Sequence, residues 1–269
     1  MRQGVRGRQG KPLLDAVLGG VSLLSLDSRL TVTEAQEVPA WDVPLSQRAV
    51  PHGQFPAGLR RKELEIRLTI HMKAWDMNER CALYQKLSAW AGEGQLTVSW
   101  RPGQMLQVDT GYVEGLSSLV EWTRSVTVRL TAHLQPFFRD AEPQVFSETG
   151  TDVFFPLTPP GNMGAKAEVL VVSEDAREMN DVFLETFSDA GQVDWIRLTG
   201  LHLRSGVKLE VRYDDFGLVR ITAGGKSVLL HRSAESSDEL RLLSGKEQTV
   251  HVLTGRKAYV EVKVYGLYA

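Results

Sequence analysis

Hydrophobic and polar residues alternate along much of this 269-residue chain, and the pattern predicts a protein built mainly from β-strands. The clearest case is the segment ELEIRLTIHM, from Glu63 to Met72. Successive side chains of a strand point to opposite faces, so one face carries Leu, Ile and Met and the other carries Glu, Arg, Thr and His. The segment from Thr123 to Leu134 repeats the pattern. Each segment therefore predicts a strand with one face in a core and one face outside it.

A helical period follows directly after the first of these strands. In DMNERCALYQKLSAWAGEG, apolar residues recur at helical spacing, Asp76 is a suitable N-cap, and Glu79 stands three residues on. A Gly-x-Gly sequence then ends the pattern. The sequence predicts one helix, at about 76–91, and no second helix is expected.

Prolines and glycines mark the other boundaries in the first half. Short strands are predicted at about Val21 to Leu26 and Arg29 to Thr33. Prolines at positions 39, 44, 51 and 56 leave no room for a central strand or a helix, so 39–56 is predicted to be a long loop. Long ordered loops in compact domains tend to be functional or to reach a partner, which makes this segment a candidate arm.

From Pro136 onward the chain shows many short strand-like segments and no helical period. KSVLLHR, at 226–232, is one of them, and Asp214 to Gly217 forms a predicted hairpin turn. Two domains are expected, 1–135 and 136–269. The predicted fold class is mainly β: an N-terminal β-sandwich-like domain with one α-helix, and a C-terminal antiparallel β-sandwich.

Composition excludes several classes of function. Lys plus Arg number 31 against 33 for Asp plus Glu, which gives no general electrostatic case for binding nucleic acid or anionic membrane. The apolar run from Ala16 to Leu26 follows a basic leader, as in a secretion signal. It is bounded by Asp15 and Asp27, lacks a small-residue cleavage pattern and is too short to span a bilayer. No signal peptide and no membrane insertion are predicted.

No arrangement of reactive residues emerges. No two of the six histidines share a metal-ligand spacing, and no glycine loop has the setting of a phosphate site. Asp214 and Asp215 are adjacent turn residues, whereas a glycosidase needs carboxylates that flank a sugar bond. Cys81 has no histidine beside it and cannot form an internal disulfide. We predict no catalytic, cofactor-binding or metal-binding residue, and no enzymatic activity.

The order of the elements resembles that of a known family, the distal tail proteins of long-tailed, non-contractile bacteriophages. The resemblance is carried by LRRKELEIRLTIHM, then by the helix DMNERCALYQKLSAWAGEGQL, then by VTVRLTAHLQPFF. The Pro136 to Phe138 segment is similar to the junction at which that family enters its second domain. The end of the chain, SSDELRLLSGKEQTVHVLTGRKAYVEVKVYG, is similar to the galectin-like or carbohydrate-module-like sandwich that such proteins carry.

What this resemblance implies is a structural virion protein without activity. It would form a homo-oligomeric ring, of six copies, in the virion tail and would be assembled in the host cytoplasm. The first domain would form the ring, between the tail tube and the tail-tip or host-adsorption apparatus. Its partners would be the tail tube protein, the tape measure protein and the tail-tip or receptor-binding protein, with host cell-surface carbohydrate as a further candidate.

A ring requires heterologous contacts, in which one face of each copy meets a different face of the next. Binding energy in such contacts concentrates on aromatic anchors, and the basic triplet at 60–62 is either a charged strand end or a partner contact. The candidate subunit-interface residues are Trp41, Phe55, Arg60, Arg61, Lys62, Arg67 and His71.

Two other functions remain open. A carbohydrate-binding module or adhesin would use exposed aromatics of the second domain, and Trp195, Tyr213 and Phe216 are the candidate glycan contacts. Packing within the sandwich or hairpin is the alternative interpretation of these aromatics. A glycoside hydrolase of sandwich fold is disfavoured, because the carboxylate pair is missing.

Overall fold

A computed structural model gives the fold of the chain as two compact units, Met1–Phe138 and Arg139–Ala269. Antiparallel sheets dominate, which confirms the mainly β expectation. The residues that the structure describes are 13–42, 47–50, 53–56, 60–114, 125–189, 191–214 and 217–269.

The first unit contains two antiparallel sheets, with strand orders β2-β1-β7-β8 and β3-β6-β10-β9, and a separate pair, β4-β5. In chain order the elements are β1 (Ala16–Leu18), β2 (Val21–Ser22), α1 (Leu23–Leu26), β3 (Leu30–Asp42), β4 (Gln47–Val50), β5 (Gly53–Pro56), β6 (Arg60–Met72), α2 (Met77–Trp90), β7 (Gly94–Val98), β8 (Gln104–Val108), β9 (Thr110–Glu114) and β10 (Ser125–Ala132). A short strand, β11 (Phe138–Asp140), contains the boundary between the units.

The alternating strand β6 supplies the centre of this unit's core. Leu64, Ile66 and Leu68 are each 0% exposed, and the intervening residues are half-buried on the other face. The facing strand β10 and the helix α2 add further buried aliphatic residues. Fully burying one such side chain contributes about 1.5–3 kcal/mol, so this row of residues accounts for much of the unit's hydrophobic stabilisation.

The predicted long helix is present as α2, and its capping follows the sequence signal. The Asp76 carboxylate accepts a hydrogen bond from the Glu79 backbone N–H at 2.8 Å, and the Glu79 carboxylate accepts one from the Trp75 N–H at 2.8 Å. These bonds satisfy donors that a helix N-terminus leaves free. At the other end, the Trp90 indole N–H donates to the Val21 carbonyl at 2.8 Å and fixes the helix against β2.

Three local predictions were wrong. The segment predicted as a loop, 39–56, contains the end of β3 and the hairpin β4-β5. Pro39 is accommodated because β3 pairs, in the part of the chain described, only with β6, so its other edge needs no N–H at that position. The segment Leu23–Leu26 forms one helical turn instead of a strand, and Leu229–His231 forms a 3-10 turn within the predicted strand KSVLLHR.

The second unit is an antiparallel sandwich around one hydrophobic core. Its elements are β12 (Gln144–Leu157), β13 (Ala165–Ser173), β14 (Val182–Ser188), β15 (Gly191–Leu198), β16 (Lys208–Tyr213), β17 (Val219–Ala223), β18 (Lys226–Ser227), β19 (Arg241–Leu242) and β20 (Gln248–Tyr268).

The long strand β20 belongs to both layers of this sandwich. Its residues 248–253 pair with β14 and β12, and its residues 258–266 pair with β13 and β12. Between the two parts the chain bends at Gly255, whose φ is +62°, and the Thr254 hydroxyl lies 2.6 Å from the Arg256 carbonyl and 3.1 Å from the Thr151 carbonyl. Buried residues of both layers belong to the same cluster, so the bend closes the sandwich.

Candidate contact surfaces

The outer face of the β3-β6-β10-β9 sheet carries a network of paired charges. The Glu65 carboxylate pairs with the Arg67 guanidinium on its own strand and lies 3.3 Å from Arg129 Nη1 on β10. Arg129 Nε lies 2.7 Å from Glu114 Oε1 on β9. The hydrogen bond to Glu114 is the main reason why the pKa of Arg129 is raised. The ion pairs therefore link three neighbouring strands across a face that is polar yet internally neutralised.

Two further side chains on this face, an exposed tyrosine and a half-buried histidine, are suited to a contact with another subunit. Tyr112 is 49% exposed and stands directly opposite Arg129 in the β9-β10 register. His71, predicted as an interface residue, is half-buried on the same face, opposite Ser125 of β10 and Thr31 of β3. Arg67 and His71 therefore share one surface, as the alternation predicted.

The other predicted interface residues follow a β-ribbon. Strands β3 and β6 are each 13 residues long, and their pairing extends as far as Asp42 opposite Arg60. Strands β4 and β5 form a separate pair, in which Gln47 is opposite Pro56 and Val50 is opposite Gly53. A 13-residue strand extends about 43 Å. The backbones of Trp41, Phe55, Arg60 and Arg61 lie in this ribbon, while the positions of their side chains fall outside what the structure describes. Lys62 is exposed at the start of the described part of β6.

In the second unit, the outward face of β15-β14-β20-β12 holds a histidine that sequence reasoning did not single out. His251 Nδ1 lies 2.7 Å from Glu185 Oε1 and its Nε2 lies 2.6 Å from Asp152 Oδ1. The imidazole also stacks on the Phe154 ring, with centroids 4.2 Å apart. Both nitrogens of the imidazole therefore have a carboxylate oxygen within hydrogen-bonding distance.

Apolar and aromatic side chains surround this histidine on the same outward face. Phe154 is 48% exposed and Leu253 is 40% exposed, and the Phe183 and Trp195 rings lie 6.0 Å apart. Next to them is a groove of about 430 Å³, lined by Asp181, Val182, Phe183, Arg197, Leu253 and Gly255. Pockets of this size hold small ligands when a few polar groups fix the orientation, and Asp181 and Arg197 are the charged groups here.

Of the three predicted glycan residues, the structure describes Trp195 and Tyr213. Trp195 faces outward on β15, half-buried against Phe183. Tyr213 ends β16, where its hydroxyl accepts the Leu240 N–H at 2.7 Å, and burial raises its pKa. Its ring lies 5.0 Å from the Lys166 ammonium. Phe216 lies outside the described residues.

Within the described ranges, no group of three or more His, Cys, Asp or Glu side chains has an arrangement that could hold a metal ion. In the same ranges, no helix is long and apolar enough to cross a membrane.

Comparison with solved structures finds a close likeness of fold at low sequence identity. The crystal structure of SPP1 Dit, described as a paradigm of the hub adsorption apparatus in phages that infect Gram-positive bacteria, is 9% identical and superposes with a TM-score of 0.65. The alignment covers 94% of this chain and 99% of that one. The baseplate of phage P2, in its activated conformation with Ca, contains a chain 8% identical, with a TM-score of 0.47 over 94% of this chain and 97% of that one. The sequence matches no family model and no curated protein.

The superposition on SPP1 Dit defines the class of fold. The chain shares the fold of that protein over 94% of its own length.

Proposed function

We propose that this protein is a structural component of a phage tail: a distal tail protein that forms a ring, of six copies, between the tail tube and the tail-tip or host-adsorption apparatus. The observation that carries the proposal is the shared fold with SPP1 Dit, which extends over 94% of this chain. The ring would be formed by residues 1–135, with 136–269 projecting from it. Its neighbours would be the tail tube, tape measure and receptor-binding proteins, and its place the virion tail. The role requires no catalysis.

The ribbon and the polar face give this role a physical basis. The β4-β5 hairpin lies in the chain between the paired ends of β3 and β6, so it is suited to reach an adjacent copy. The face that contains Arg67 and His71 is polar and has its charges paired internally. Such a surface stays soluble in the monomer and is also able to meet a complementary face of a neighbour.

The ribbon allows a clean test of assembly. Because Asp42 and Arg60 are directly paired, residues 43–59 can be replaced by an Asn-Gly turn that closes the β3-β6 hairpin. We expect the wild-type chain to sediment as a closed oligomer, alone or with its tube or tip partner, and the shortened chain to remain a folded monomer. Circular dichroism and the cooperativity of unfolding check that the variant folds.

Two outcomes would count against the proposal. A wild-type chain that stays monomeric under every condition contradicts the ring. A shortened chain that assembles as well as the wild type contradicts the role of the ribbon and leaves the ring intact.

Carbohydrate binding is the second candidate function, favoured by the exposed aromatics beside the groove of the second unit. Sugars stack on aromatic rings, and Phe154, Phe183 and Trp195 belong to one outward face. A glycan array with the full chain tests it, with Phe154→Ala and Trp195→Ala as variants. Binding that both variants weaken supports this function, and the absence of binding to any glycan contradicts it.

A further inference from the structure

Helix α2 of the first unit has an exposed apolar group at its N-terminal end. Trp75, which directly precedes the N-cap Asp76, is 94% exposed, and Met77, the first helical residue, is 44% exposed. A single exposed apolar residue needs no explanation, but an almost fully exposed tryptophan two positions from an exposed methionine has the composition of an interface anchor. We call these two residues the knob.

The opposite end of the same helix borders an open apolar groove of about 510 Å³. Its apolar lining consists of Leu18, Val21, Leu26, Ala89 and Trp90. Lys86 and Glu93 are the charged residues of the lining. The bond from the Trp90 indole to the Val21 carbonyl holds two of these walls together, so the groove is preformed.

The knob of one chain has no access to the groove of the same chain. They lie at the two ends of a 14-residue helix, about 20 Å apart at 1.5 Å per residue. Both belong to one compact unit. A contact between them therefore has to join two copies, and it is heterologous, because one end of the helix meets the other end of its neighbour.

The volume of the groove and the charges near it match the knob of a second copy. A groove of this volume is in the range that encloses a drug-sized group, and so accommodates an indole with an adjacent thioether. Lys73, two residues before Trp75, is exposed, as is Glu93 at the groove. In the described part of the chain, neither of these two side chains has an ion-pair partner. In the head-to-tail contact, the ammonium of one copy would approach the carboxylate of the next.

We propose that Trp75 and Met77 of each copy insert into the groove between α2 and the β1-β2 turn of the next copy, and that this is one of the contacts that build the ring. The inference rests on the proposed ring function and assigns its contact surface. Each copy contributes one knob and one groove, so the surface is complete only between copies.

Single substitutions test both sides of the contact in the full chain. Trp75→Ala removes the knob, and Ala89→Arg fills the groove from an exposed position. Each should raise the concentration at which half of the chains are assembled by about tenfold or more, the effect of losing an interface anchor. Leu230→Ala, at a site that is 101% exposed in the other unit, is the matched control and should leave assembly unchanged.

Disulfide cross-linking tests which surfaces meet. In a Cys81→Ser background, which removes the exposed free thiol, one chain carries Met77→Cys and another carries Ala89→Cys. The mixture should cross-link under oxidation, whereas each variant alone should not. Cross-linking within a single variant indicates a different, symmetric contact and overturns the inference, as does the absence of cross-links in a mixture that assembles.

The two proposals fail differently in sedimentation velocity. A wild-type chain that never assembles contradicts the ring and this contact together. A wild-type chain that assembles, with a Trp75→Ala variant that assembles equally well, overturns only the contact and leaves the groove to another occupant.

Discussion

The imidazole of His251 lies flat against the phenyl ring of Phe154, with centroids 4.2 Å apart and planes 2° apart. Its two nitrogens reach carboxylates on different strands, Asp152 of β12 and Glu185 of β14. The side chain thus ties three strands together on the outward face of the second unit. It stands on the surface side of the sheet, yet its side chain is only 11% exposed.

We predict that His251→Leu destabilises the second unit by about 2 kcal/mol, because the hydrogen bonds of His251 with Asp152 and Glu185 are lost. Trp195 is the only tryptophan in residues 139–269, so its fluorescence during denaturant unfolding reports on this unit. Leu230→Ala, at a fully exposed site of the same unit, should change stability by no more than about 0.5 kcal/mol. An unchanged midpoint for His251→Leu would mean that these bonds add no net stability.

Gly111 of β9 is predicted to be intolerant of any side chain. A Cβ at this position would lie 2.8 Å from Leu130 Cδ2 and 2.9 Å from both the backbone N and the O of Gly92. Because backbone atoms cannot move aside as a flexible side chain can, Gly111→Ala should cost about 1–3 kcal/mol through overpacking. Gly92→Ala is the matched control, since its Cβ would have no neighbour within 4 Å. Thermal unfolding of both variants checks the difference, and equal melting temperatures would contradict it.

The sequence predicted those elements whose signal is local. The alternation in β6 assigned Leu64 and Ile66 to the core, and the capping residues of α2 placed its start within one residue. It did not predict the ribbon, because a proline rule that holds for central strands does not hold for an edge strand such as β3.

The cluster of His251 with Glu185 and Asp152 could not be predicted from spacing in the sequence. Its histidine is 66 positions from Glu185 and 99 positions from Asp152, so only the pairing of β12, β14 and β20 brings the three together. A period along one segment says which face a residue occupies and nothing about which strand lies beside it. The single available signal was that His251 alternates with the core residues Val250 and Val252, which predicts an outward position and not a buried one.

Tyr268 gives a prediction for alkaline pH. Its hydroxyl donates to Asp140 Oδ1 at 2.8 Å, and burial together with this bond raises its pKa to about 12. A phenol with a raised pKa contributes stability that is fully present below its ordinary value of 10.0 and is lost as pH rises through about 12, because the unfolded chain ionises first. Tyr268→Phe should therefore cost about 1 kcal/mol near pH 8.

The cost of Tyr268→Phe should shrink as pH rises from 10 towards 12, the window set by the two pKa values. Denaturant unfolding at several pH values measures it, together with the phenolate absorbance, in which the variant should lack one late-titrating tyrosine. If the destabilisation caused by Tyr268→Phe stays constant between pH 10 and 12, the pKa of Tyr268 is not raised in the folded protein and the prediction is wrong.

Arg67 and His71 lead to a prediction that separates assembly from folding. Both are half-buried on the outer face of the β3-β6-β10-β9 sheet, away from the core. If this face meets a neighbouring copy, Arg67→Ala and His71→Ala should weaken assembly about tenfold or more, because charged groups in an interface fix its orientation and partner. Since partly exposed ion pairs contribute little, the free energy of unfolding should fall by less than about 1 kcal/mol.

Sedimentation velocity and denaturant unfolding of the same samples compare the two effects for this face. Arg220→Ala is a suitable control, because Arg220 is an exposed arginine that forms an ion pair with Asp214 in the other unit. It should leave both quantities within error. Variants at 67 and 71 that unfold more easily but assemble like the wild type would show that the face serves the fold alone, and the subunit contact would then have to lie elsewhere on the first unit.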